Sequence, residues 1–427
     1  MILIKNGLVV DPSQNLEAVR DILIDGETIA QVGENLSADG AQIIDAAGKV
    51  VMPGLVDMHV HLREPGQEYK EDILSGTRAA VHGGVTSVAS MPNTHPPVDN
   101  EAILEMIIRK AKGYGYAEVY PTACITKGQK GEELTEMGLL HQSGAIAFTD
   151  DGRSVMSPTV MRRALDYSKI FDGLLISHCE EEELRGAGVM HEGLVSTELG
   201  LAGIPNAVED LLIARDLMLA ELTGARVHIA HLSTASGAQM IRQAKAKGVR
   251  VTAETTPHHL FLTDEAVRGY DTFTKVNPPL RTKADNLALL EALKDQTVDC
   301  IVTDHAPHAP EDKDCEYDYA AFGISGVETS LALVWTKLYQ SGELSLTDIV
   351  RLMSQRPAEI LRIDKGTLQV GKMADVLIVD PTVEKTVRAE DFCSKGKNSP
   401  YIGMQLSGWA DIVLKAGRVV VEKGQVK

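Results

Sequence analysis

Between residues 54 and 365 the chain repeats one pattern, a short apolar run followed by a helical stretch. The runs are 55–60, 86–91, 119–123, 145–149, 174–178, 226–231, 249–254 and 299–303. Amphipathic stretches such as 205–222 and 235–247 lie between them. Alternating β and α elements imply a parallel sheet, because parallel neighbours need a long crossover connection. Eight such units predict a (β/α)₈ barrel of the TIM type. A doubly wound open sheet is the alternative. No G-x-G-x-x-G follows an early strand, so its dinucleotide-binding form has no support.

Both ends of the chain read differently. Residues 1–53 are short strands punctuated by Asn6-Gly7, Asp11-Pro12 and Asp25-Gly26, which are hairpin and turn signals. The tail has a strand closing at Asp380-Pro381 and a strand–turn–strand around Ala416-Gly417. Head (1–53) and tail (366–427) are therefore expected to pair as one small β-sandwich domain, with the barrel (54–365) inserted between them.

Polar residues gather at the ends of the barrel runs. The first run leads into His59-Val-His61-Leu-Arg63, and strand alternation puts these three side chains on one face. A lone H-x-H is a weak signal. Run four, however, leads into Asp150-Asp151, run five ends at His178, run six at His231, and run eight leads into Asp304. Strand ends of a barrel form a ring, so these separated residues can converge at its mouth. Imidazole nitrogen and carboxylate oxygen together suit a zinc-type site. Alternation cannot put both Asp150 and Asp151 on the same face.

Composition narrows the function classes. The net charge is −18, which argues against a nucleic-acid binder or a binder of anionic membranes. It leaves room for an acidic small molecule at a locally positive site. No apolar run approaches the roughly 20 residues that span a bilayer, and the N-terminus lacks the regions of a signal peptide. The five cysteines are widely spaced without a C-x-x-C pair, so a reducing cytoplasm is expected.

With these motifs in place, the chain resembles the amidohydrolase superfamily and, within it, the bacterial class I dihydroorotases. The resemblance rests on His59-Val-His61-Leu-Arg63-Glu-Pro65-Gly66, Met91-Pro-Asn93-Thr94, Thr149-Asp-Asp151-Gly152, His178-Cys-Glu180 and His231-Leu-Ser233. It extends through Asn277-Pro-Pro-Leu-Arg281, Thr303-Asp304-His-Ala-Pro-His308 and Ser394-Lys-Gly-Lys-Asn398. It implies two zinc ions. His59, His61 and Asp304 would hold one, His178 and His231 the other, and Asp151 would bridge them where many relatives use a carboxylated lysine. It also implies reversible cyclisation of N-carbamoyl-L-aspartate to dihydroorotate in pyrimidine synthesis. In the hydrolytic direction a hydroxide between the metals attacks the ring amide, with Asp304 as general base and acid. The substrate would be held by His61, Arg63, Asn93, Asn277, His308 and groups at Phe322-Gly323, with Arg63 matching its carboxylate. A homodimer is implied too, and some members associate with aspartate transcarbamoylase.

Several histidines are given no ligand role. His82, His95, His141 and His191 lie off the strand tips. Strand geometry turns His228 away from His231, toward the core or the helices. His305 alternates away from Asp304, with a supporting role at most, and His258 and His259 are unassigned. Cys179 is expected to be a packed thiol. The polar stretch 309–321 is expected to act as a lid. Two other readings are a hydantoinase, dihydropyrimidinase or allantoinase, which usually carry the bridging lysine, and a non-catalytic scaffold, which typically has lost metal ligands.

Overall fold

The computed structural model describes residues 1–427. The barrel strands are β1 (Leu55–Val60), β2 (Val85–Ser90), β3 (Glu118–Pro121), β4 (Leu174–Ser177), β5 (Arg226–Ile229), β6 (Val251–Thr255) and β7 (Cys300–Ile301). They form two parallel arcs, β1-β2-β3 and β4-β5-β6-β7. The fourth predicted run, 145–149, does not form a regular strand. It joins the arcs through bridges from Phe148 to Ala123 and to Leu175. The ring closes where Val60 bridges His305 and His61 N–H donates to His305 O at 2.8 Å.

Helices cover the outside. α1 (Ile73–His82), α2 (Glu101–Tyr114), α3 (Pro158–Ser168), α4 (Ala207–Thr223), α5 (Ala235–Ala246) and α6 (Lys283–Lys294) follow successive strands. Their starts are specified locally. Asp72 and Ser75 make a capping box at α1, as do Thr282 and Asp285 at α6, and Asn100 caps α2. A core cluster of 66 residues packs helices against strands, and a second one of 12 residues includes Val56, Met58, Ile176, Ala230 and Val302. No helix is long and apolar enough to cross a membrane.

Head and tail share one nine-stranded sheet. The junction is Val376–Val379 running antiparallel to Val50–Pro53. Ile4, Ile22, Ile24, Val51, Val376 and Leu414 sit in a small core of its own. This is the mixed architecture expected, an α/β barrel beside a β-rich, sandwich-like sheet. The tail does not stay in that sheet throughout. Glu384–Thr386 pairs only with Gln405–Ser407, and the segment between them packs back onto the barrel.

Candidate metal centre and adjoining cavity

Two local irregularities aim the histidines of β1. From Asp57 to Val60 the strand uses three steps where β2 uses two, from Val88 to Ser90. Such a bulge re-aims the side chains that follow it. Asp57, fully buried, then pins the strand end. Its carboxylate accepts from His59 N at 3.1 Å and from Thr303 N at 3.2 Å and Thr303 Oγ1 at 2.5 Å. One side chain thus ties the H-x-H segment to the segment that carries Asp304.

Left-handed backbone does the rest. Arg63, His231 and Asp304 have φ of +60°, +31° and +45°. For residues with a Cβ this conformation costs of order 1–3 kcal/mol and persists only where the surroundings over-determine it. At His231 it breaks strand alternation. His228 consequently does not face the helices. It lies on the barrel-interior side, donating to or accepting from Thr252 Oγ1 at 2.7 Å and Glu254 Oε2 at 3.0 Å.

Asp151 sits at the centre of the cluster. One group of converging donor atoms is His59, His61 and Asp151, and another is Asp151, His178 and His231. Asp151 Oδ1 lies 3.4 Å from His59 Nε2, 3.6 Å from His178 Nδ1 and 3.8 Å from His231 Nε2, and its Oδ2 lies 3.6 Å from His61 Nε2. Asp304 Oδ1 lies 3.1 Å from His61 Nε2 and 3.5 Å from His59 Nε2. Asp150 turns the other way, accepting from Thr126 N at 3.0 Å.

These residues fit a pair of divalent cations. Two of their buried atoms that face the cluster have no hydrogen-bond partner, His59 Nε2 and Asp151 Oδ1. Each unpaired buried polar atom costs about 1–3 kcal/mol, a penalty that bound metal removes. The electrostatics agree. Burial opposes a charge on His59, yet Asp151 and Glu254 outweigh it and push its pKa well up. The same histidines hold Asp151 and Asp304 ionised against burial. Burial lowers the pKa of His61, favouring the neutral imidazole that ligates metal.

Next to the cluster lies a cavity of about 190 Å³. His61, Arg63, Asn93, Asp151, His178, His231, Asn277, Asp304, Phe322 and Gly323 all line it. His308 stands just behind, 3.3 Å from an Arg63 terminal nitrogen and 2.8 Å from Phe322 O. Burial first, then Arg63, Lys313 and Lys70, drive the His308 pKa far down, so this corner is electropositive. Asn93 Oδ1 meets His61 Nδ1 at 2.9 Å. At Gly323, φ is +144° and an added Cβ would come within 2.7 Å of Ala306 O, so backbone is open to the cavity there.

Sequence reasoning missed the supporting carboxylates. Glu254 holds His59 Nδ1 at 2.5 Å and accepts from His231 N at 3.2 Å. Glu180 accepts from Asn277 Nδ2 at 3.0 Å and forms an ion pair with Arg185, whose Nε lies 2.9 Å away. Arg185, stacked over Phe322, also lines the cavity. The available signal was an acidic residue inside an apolar run, since a buried charge demands a partner. His305 does take a supporting place, receiving Gly326 N–H at 3.2 Å with Glu71 at 3.6 Å. His259 is held between Thr256 Oγ1 and Pro278 O, each at 2.9 Å. His191, by contrast with a surface residue, is buried. Cys179 is packed inside and bonds Ser177. Loop 309–321 is tied down, with Lys313 donating to Thr272 O and Ala321 O and Lys275 to Tyr317 O.

Residues 48–237 match the dihydro-orotase-like family and residues 213–421 the amidohydrolase family. The chain is 54% identical to the dihydroorotase of Pelotomaculum thermopropionicum, covering 99% of this chain and 98% of that protein. It is 53% identical to the dihydroorotase of Geobacter sp. strain M21, covering 99% and 100%. Among solved structures, the L-hydantoinase (dihydropyrimidinase) of Arthrobacter aurescens superposes with a TM-score of 0.89 at 29% identity, over 100% of this chain and 97% of that one. The dihydropyrimidinase of Brevibacillus agri NCHU1002 gives 0.86 at 25%, over 100% and 96%. With more than half its residues shared across whole-length relatives, and with the buried histidine–aspartate cluster at its barrel mouth, this chain belongs to the dihydroorotase family of the amidohydrolase superfamily.

Proposed function

We propose that the protein catalyses the reversible interconversion of N-carbamoyl-L-aspartate and dihydroorotate. The observation that carries this reading is the juxtaposition of a binuclear-type donor cluster with a small cavity whose far wall is Arg63. The cavity is compact beside the roughly 300–1,000 Å³ typical of ligand pockets, which suits a single six-membered ring.

His59, His61 and Asp304 would hold one zinc ion, His178 and His231 the other, with Asp151 between them. Bound there, the ions would acidify water and polarise the amide carbonyl. The chain's own groups do the rest. Arg63 binds the substrate carboxylate, and Asn93, Asn277, His308 and backbone at Phe322 and Gly323 orient the ring. In hydrolysis, Asp304 takes a proton from the attacking water and returns it to the leaving ring nitrogen. In cyclisation it takes the proton from the carbamoyl nitrogen and gives it to the departing oxygen. The surrounding histidines hold Asp304 ionised against burial, at the wall of the cavity. We further propose domain limits of 1–53, 54–365 and 366–427 and a cytoplasmic homodimer.

A hydantoinase reading draws on the structural likeness, but Asp151 in the bridging place and Arg63 in the cavity favour the acidic substrate. Purified protein should be assayed with dihydroorotate, carbamoyl aspartate, hydantoin and allantoin, with metal content measured in parallel. Turnover of the first pair, dependent on bound metal, is expected. Turnover of hydantoin or allantoin alone overturns the proposal.

A further inference from the structure

Outside the catalytic cavity, three distant segments bring a second set of metal-ligating side chains together. His82 ends α1, Glu328 lies in the stretch that follows the last barrel segment, and Cys393 belongs to the returning tail. One donor atom from each lies within 4.8 Å of the other two. None of the three lines the catalytic cavity. His82 Nδ1 hydrogen-bonds Glu328 Oε2. Glu328 is fixed by the chain it faces, accepting from Cys393 N at 2.8 Å and Ser394 N at 3.0 Å. A separate cavity of about 160 Å³ opens on His82 and Glu328, with Lys385, Asp391 and Trp409 on its other walls.

We propose that His82, Glu328 and Cys393 form a third, non-catalytic site for a borderline-soft divalent cation of the zinc class, with a water from this cavity as fourth ligand. The donor set of one sulfur, one imidazole nitrogen and one carboxylate oxygen selects zinc-like ions over magnesium or calcium. The Glu328 half of the site is already oriented by two backbone N–H groups, as outer contacts orient ligands in metal sites generally. A divalent ion would replace the proton shared by His82 and Glu328 and the thiol proton of Cys393, releasing both to solvent. It would fasten α1 and the segment at 328 to the tail, closing long loops, where a crosslink stabilises most.

The test uses the full-length holoenzyme, with its catalytic metals, exchanged into cobalt. The catalytic ligands are all nitrogen or oxygen, so a thiolate-to-cobalt charge-transfer band arises outside them, and its loss in Cys393→Ser separates this site from the His228–Glu254–Cys300 group. The wild type should show that band and bind about one more zinc equivalent than Cys393→Ser. Cys393→Ser should lose the band and keep its turnover, and Cys315→Ser should keep both. His82→Asn should lose the band while its Cys393 still reacts with a thiol reagent. Cys393→Ser retains the His82–Glu328 pair, so the result stands even if His82→Asn folds poorly. No thiolate band in the wild type, equal metal content in Cys393→Ser, or a band that survives that substitution overturns the proposal.

Discussion

Arg63 is buried with left-handed backbone, and its Nε is anchored to Pro307 O at 3.2 Å. It lines the cavity, and its hydrogen bonds go to Pro307 and His308, not to the proposed metal ligands. Replacing it should therefore separate recognition from metal binding. For Arg63→Met we expect kcat/KM to fall about 100- to 1,000-fold, since losing one partner of a buried charge pair costs about 2–5 kcal/mol, with metal content unchanged. Full activity in that variant removes the carboxylate assignment. Glu254 makes the opposite prediction. Glu254→Gln keeps the shape but loses the charge that orients His59, so metal affinity should drop about 10- to 100-fold. Competition with a chelator measures this, and wild-type affinity would show that the contact is idle. Sequence alternation brought out His59 and His61, because that signal is local, while Asp151 over Asp150 came from the family resemblance. It missed Glu254 and Asp57, whose roles depend on strands far apart in the chain.

The returning tail explains why a loop-built cavity has fixed walls. Asn398, buried beneath the mouth, accepts from His308 N and Ser325 Oγ, each at 2.9 Å. It donates to Ala306 O at 3.2 Å and Gly323 O at 3.0 Å. One amide thereby joins the two segments that carry Ala306, His308 and Gly323. Asn398→Ala strands several buried backbone groups at about 1–3 kcal/mol each. We expect KM for dihydroorotate to rise about tenfold with metal content intact; a lowered Tm with unchanged KM would show a purely structural role. The segment was visible in the sequence as a family-like motif. Its destination was not, because neither apolar periodicity nor turn chemistry encodes where a polar strap docks. Run 145–149 sits where its apolar pattern puts a strand, with Ile146 N bonding Pro121 O on one side and Phe148 N bonding Leu174 O on the other, though its pairing is irregular.

The barrel and the terminal sheet meet through charges as well as apolar packing. Glu118 on β3 reaches Lys365 at 2.8 Å and Lys415 at 3.1 Å, and both lysines reach Asp375. Burial opposes ionisation of Glu118, but the two lysines outweigh it and hold the pKa near 2 against an ordinary 4.5. A depressed carboxylate pKa stabilises the fold above about pH 4.5, and that contribution fades as pH falls toward 2. Glu118→Gln should therefore lower Tm at pH 6, and the gap to wild type should close as the pH approaches 3. A gap that stays constant with pH would place the effect in packing instead. The alternation of apolar and helical segments was enough to specify a barrel, and the turn chemistry of both ends was enough to specify a shared sheet, because secondary structure and layer packing follow local periodicity. The convergence of Asp151 with four histidines, the inward turn of His228, the carboxylates that steady them and the strap at Asn398 arose from the folded geometry. They depend on a bulge, three left-handed residues and contacts across hundreds of positions, none of which leaves a periodic trace in the chain.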